Sequence, residues 1–92
     1  MKTKNKGSIS LGNLQRLRIA IDVLNAQKGT PIKGVDFLSL INSIATIPAC
    51  KSQFEKDIFK LREDFDAPIK AGKKGYYLDE PFDFFESLKN AI

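Results

Sequence analysis

Residues 51–80 read KSQFEKDIFKLREDFDAPIKAGKKGYYLDE, and two different periodicities meet inside them. Phe54, Ile58, Leu61 and Phe65 recur at spacings of four, three and four, a narrow apolar stripe along one face of a helix. The spacing predicts a helix from near Lys51 to near Phe65, ended by Asp66-Ala67-Pro68. At about 100° per residue its opposite side carries Ser52, Lys56, Phe59 and Glu63, flanked by Gln53 and Lys60. The glycines and aromatics that follow call for extended chain. Residues 68–71 and 76–78 read as two strands joined by a turn over Gly72-Lys73-Lys74-Gly75. Such a hairpin is marginal alone and needs a third strand or a helix beneath it.

Working outward, residues 1–9 read as a flexible basic arm with Lys2, Lys4 and Lys6. Leu14, Leu17, Ile21 and Leu24 then mark a first helix, with Ser10 as its N-cap and Gly29 as its stop. Ile19 and Val23 lie well round from that stripe. They either widen the core face, the preferred reading, or meet a second partner. Glycine and proline punctuate residues 29–34, leaving room for one short extended piece around Ile32, the obvious third strand. Leu38, Ile41 and Ala45, with Phe37, Leu40 and Ile44 beside them, predict a second, largely buried helix over 35–45, broken by Thr46-Ile47-Pro48. Pro81 can open a last helix with Phe82, Phe85, Leu88 and Ile92 on one face. An extended segment with Phe82 and Phe84 on one side is the alternative.

Composition narrows the chemistry. Ninety-two residues suffice for one modest core, and 42% hydrophobic with 28% charged residues is a globular balance. The apolar runs are too short to span a membrane, and the basic start lacks the apolar segment of a secretory signal. Cys50 is the sole cysteine and there is no histidine. That excludes an internal disulfide, the common zinc sites, and Cys–His or Ser–His catalysis. No phosphate-binding glycine loop or paired acids with suitable partners appear, so the expectation is a non-enzyme without metal or cofactor, in a cytoplasmic, reducing setting. The net charge of +4 is compatible with nucleic acid without pointing to it.

The order helix, short strand, helix, turn, helix, hairpin is an α+β arrangement and is that of a winged helix-turn-helix, although periodicity alone leaves other small α+β folds open. Here 51–80 resembles the amino-terminal domain of bacterial WYL-type transcriptional regulators, relatives of the DeoR-like winged helices. Phe54, Lys56, Asp57, Ile58 and Leu61 occupy the family's helix positions, Ala67-Pro68-Ile69 its next signature, and Gly75-Tyr76-Tyr77 its third. The likeness covers about thirty residues well and extends back to Leu14. It implies a three-helix core with a hairpin wing over 10–80, to which the Pro81 and phenylalanine pattern adds a C-terminal helical extension over 81–92. The chain departs from the family where Cys50-Lys51-Ser52-Gln53 replaces a serine, two arginines and a threonine. No ligand-sensing domain follows within these residues, so the expectation is either a stand-alone small regulator or a fragment of a larger one.

A helix-turn-helix sets the start of its second helix against base edges in the major groove. Lys51, Ser52, Gln53 and Lys56, with Lys60 beyond them, are the candidates on 51–65. Gln can pair bidentately with adenine, Lys can reach guanine or phosphate, and Ser can reach either. Lys70, Lys73 and Lys74 are wing candidates for the phosphate backbone, although a lysine tip is equally a way to keep a turn soluble and an edge unpaired. An outward Tyr76 could bond a phosphate, while sequence leaves open which of Tyr76 and Tyr77 faces out. Asp57 suits a structural salt bridge, and Phe59 suits packing against the hairpin or another subunit. The expected function is double-stranded DNA binding in transcription regulation, with a homodimer through Ile19 and Val23 or the phenylalanine-rich C-terminus. The alternative is a winged helix serving protein–protein interaction, motivated by Phe59 and the acids of the third helix.

Overall fold

A computed structural model of the chain describes residues 11–86. The expected basic arm, the Ser10 cap, Leu88 and Ile92 lie outside the described residues. The fold is α+β, with helices α1 (Leu11–Gln27), α2 (Gly34–Ile44) and α3 (Lys51–Asp64) followed by strands β1 (Ile69–Gly72) and β2 (Gly75–Leu78). The strands form an antiparallel hairpin in which Ile69 faces Leu78, Lys70 faces Tyr77, Ala71 faces Tyr76 and Gly72 faces Gly75. Among the described residues no helix is long and apolar enough to cross a membrane.

Each helix packs through the stripe its spacing predicts. Leu17, Ile21 and Leu24 of α1 meet Phe37 and Ile41 of α2 and Phe54, Ile58 and Leu61 of α3, and Phe65, Ile69, Leu78 and Phe84 close the same cluster. Burying each of these large side chains contributes about 1.5–3 kcal/mol. Helices α1 and α3 stop where the backbone turns left-handed, while α2 ends at an extended Ala45. Lys28 and Gly29 take φ of 54° and 87° after α1, and Asp66 takes φ of 56° after α3. Aspartate tolerates that region because its short polar chain bonds locally. The Ala67 amide then donates back to the Leu61 carbonyl at 3.0 Å, satisfying an acceptor at the helix end.

The connection between α2 and α3 is fixed by side chains. The Asn42 amide brackets Ala49, donating to its carbonyl at 2.9 Å and accepting from its N–H at 2.9 Å. Gln15 of α1 accepts from the Thr46 amide at 2.8 Å. Three segments therefore converge on the turn that sets how α3 leaves α2.

Four expectations need correction. The extended piece at Ile32 is a single antiparallel bridge to Tyr76, made by two hydrogen bonds of 2.8 Å, and not a strand. Pro31 has no amide to donate and α2 begins at Gly34, so no room remains for a ladder. Helix α2 is less buried than its breadth suggests: Phe37 and Ile41 are enclosed, but Val35, Leu40 and Ile44 are exposed. Ile19 is buried and Val23 packs against the core, so this pair widens the core face and is not free for a dimer contact. Finally, the last helical turn starts at 84 and not at Pro81. Asn25 holds Phe82 by both backbone groups, at 2.8 and 3.1 Å, and the Asp83 carboxylate caps the Glu86 amide at 3.0 Å. Phe84 stacks on Phe65 with centroids 5.3 Å apart, leaving Phe85 outside.

Candidate nucleic-acid interface

With Phe54, Ile58 and Leu61 turned inward, α3 necessarily shows its polar side to solvent. Lys51, Ser52, Glu55, Lys56 and Phe59 are exposed there. The first turn of α3 carries no acid, so its unpaired amides and the positive end of the helix dipole are not locally neutralised. Lys60 is different: its ammonium pairs with Asp64 at 3.0 Å one turn on, which ties up part of its charge. Phe59 is 64% exposed and is not one of the buried core residues.

Gln53 is the site residue whose surroundings differ most from a solvated position. Its Nε2 donates to Asp57 Oδ1 at 2.9 Å, and the other carboxylate oxygen of Asp57 accepts from Arg16 Nε at 2.9 Å. Arg16 and Asp57 are 3% and 8% exposed, a buried ion pair between α1 and α3. Arg16 completes its donors on the Ile47 carbonyl at 3.2 Å and on Asn13 Oδ1. One guanidinium thus ties together α1, the turn before α3 and the first two turns of α3. Asp57 fulfils the structural role read from its position, whereas Arg16 escaped notice. Its signal was faint, an arginine at the head of an i, i+4, i+8 row completed by Ala20 and Leu24.

The hairpin supplies the second group. Lys70, Lys73 and Lys74 are exposed, and neither Lys73 nor Lys74 takes positive φ. The turn's unusual conformation falls on Gly75, at φ 126°, where the backbone lies so close to the Ile32 carbonyl that a Cβ has no room. Tyr76 corrects the outward placement required for a phosphate contact. Its ring faces inward, 5.8 Å from Phe37 and 5.6 Å from Phe54 between centroids. Strand alternation therefore puts Tyr77 on the outer face, beside Lys70. The Tyr76–Phe54 contact ties the hairpin, close to its turn, to the first turn of α3. Among the described residues Lys51, Lys56, Lys70, Lys73 and Lys74 have no ion-pair partner.

Cys50, just before α3, is exposed, and its thiol is held below the usual cysteine range by the Ser52 hydroxyl and, secondarily, by the Gln53 amide. Comparison of the chain with protein-family models, curated proteins and solved structures finds no match.

Proposed function

We propose that this chain is a winged helix-turn-helix domain that binds double-stranded DNA, with α3 in the major groove and the β1–β2 hairpin as a wing on the backbone. The observation that carries the reading is the junction of two unpaired lysine groups. Lys51 and Lys56 stand on the solvent side of α3, and Lys73 and Lys74 on the turn of a hairpin that packs on the same helix through Tyr76, just beyond that turn, and Phe54. A buried polar clamp at the α2–α3 turn, which fixes the angle of the exposed helix, supports it further. Lysine–phosphate contacts would supply affinity and the α3 side chains selectivity, with Lys70 as a further backbone contact and Lys60 a weaker one. The resemblance of 51–80 to WYL-type regulators supports a role in transcription regulation, with the cytoplasmic nucleoid as the proposed setting and neither catalysis nor a cofactor proposed. A homodimer would use the exposed Phe85 side.

The test is binding to random-sequence duplex followed by fluorescence anisotropy across a salt series. Each lysine seated on a phosphate steepens log K against log salt by about 0.9. Lys56→Ala, Lys73→Ala and Lys74→Ala together should flatten the slope by about 2.7. No binding at low salt would overturn the proposal. It would favour instead a protein-docking role for this surface, the reading that the exposed Phe59 supports.

A further inference from the structure

We infer that Gln53 reads the major groove as a hydrogen-bond acceptor, selecting a base that carries an amino group over one that carries a keto group at a single position. The inference rests on the DNA-binding reading and adds to it the polarity of one contact. A glutamine amide ordinarily turns over freely and presents either its oxygen or its nitrogen. In this chain the choice is made by Asp57. That carboxylate is ion-paired with Arg16 and only accepts hydrogen bonds, so the part of the Gln53 amide facing it has to be the nitrogen. Asp57 cannot swing away to free the amide, because it is buried and bonded through its second oxygen to an equally buried arginine. The Gln53 oxygen is accordingly turned away from Asp57, on a half-buried residue at the edge of the exposed face of α3.

In the major groove each base pair offers one amino donor, on adenine or cytosine, and one keto acceptor, on thymine or guanine. An oxygen held away from Asp57 and presented to the groove is satisfied by the amino group and repelled by the keto oxygen. Gln53 therefore sorts the four pairs into two sets by strand, accepting A or C at its position and disfavouring G or T. Adenine and cytosine remain nearly equal, which separates this pattern from a freely turning glutamine that favours adenine alone. One hydrogen bond gained against one repulsion corresponds to about a five- to tenfold preference.

The experiment selects bound duplexes from a random library at low salt, then measures affinity for every single-base change in the selected site. Wild type should show one position at which A and C are bound within about twofold and G and T about five- to tenfold worse. Gln53→Met, which keeps the aliphatic stem and removes the amide, should flatten that position and leave the others unchanged. A selected site with no amino-against-keto position overturns the inference while leaving DNA binding standing. So does a Gln53→Met profile identical to wild type, or a position at which G or T is preferred. Binding without any selected site does the same. Failure to bind duplex at all overturns the DNA-binding reading itself and this inference with it.

Discussion

Replacing Arg16 by methionine should cost this fold a large part of its stability, and the cost follows from what is left behind. Methionine fills a similar volume, so little cavity opens. Asp57 meanwhile stays buried at 8% exposure with its ion partner gone and only Gln53 donating to it. Removing one member of a buried pair costs about 3–5 kcal/mol, chiefly through the uncompensated charge. The Ile47 carbonyl and Asn13, which also lose a donor, are exposed enough to turn to water and add little. A domain of this length has about 5–14 kcal/mol in total, so Arg16→Met leaves it marginal. In urea, with a slope of about 1–1.5 kcal/mol per molar, the midpoint should fall by about 2–5 M. The double change Arg16→Met with Asp57→Leu is the decisive control. It removes both charges, frees Gln53 to bond water, and should return to within about 2 kcal/mol of wild type. If Arg16→Met costs under about 1 kcal/mol, or if the double variant is as unstable as the two single losses added, the clamp is not a buried ion pair in this sense.

Three further outcomes follow from the same geometry. Gly75→Ala sets a Cβ against the Ile32 carbonyl and Lys33 nitrogen at a φ of 126°, and should cost about 2–4 kcal/mol in thermal unfolding. Gly72→Ala, where nothing lies within 4 Å, should stay within about 0.5 kcal/mol, and equal losses would contradict the proposed contact. Because Tyr76 acts through its ring, Tyr76→Phe should keep both stability and salt slope, whereas Tyr76→Ala should lose about 2–4 kcal/mol. A phosphate-binding hydroxyl would instead make Tyr76→Phe lose DNA affinity while keeping its stability. For Cys50, a lowered thiol pKa means more thiolate at any pH below the ordinary cysteine range, and so faster alkylation by iodoacetamide at neutral pH. Ser52→Ala removes the main stabilising hydrogen bond and should shift the rate profile to higher pH. An unmoved profile would rule out the Ser52 hydroxyl as the cause.

The helices were readable because their stripes are long and regular. Spacing in α3 located both its ends to within a residue, and Gly29 marked the stop of α1. Short elements were less readable, since a few residues carry too little periodicity. Ile32 looks like strand in sequence, yet the helix start two residues later confines it to one bridge. Aromatic residues were ambiguous for a related reason. Tyr76 and Tyr77 are indistinguishable until the pairing with Ala71 and Lys70 sets their faces. The candidate interface was legible in its lysines and not in its polar clamp. Arg16 and Asp57 are 41 residues apart, and no local pattern couples residues that only tertiary packing brings together. Sequence marks Gln53 as a side chain that can pair bidentately with adenine, and the buried pair behind it is what constrains its amide.

If the domain binds DNA as proposed, affinity and selectivity reside in separable parts of this small fold. Lys73 and Lys74 sit on a two-residue tip between glycines, where a flexible ammonium can follow a phosphate but has no fixed direction from which to distinguish bases. Selectivity requires a polar group held in one orientation, and orientation costs entropy unless packing already supplies it. Gln53 would meet that requirement because the Arg16–Asp57 pair that holds its amide is buried within the domain itself. The same pair that orients the amide also holds α1 against α3. Changes at the hairpin tip should therefore alter the salt slope and leave base preference intact, and changes at Gln53 should do the opposite. Changes at Arg16 or Asp57 should disturb stability and preference together.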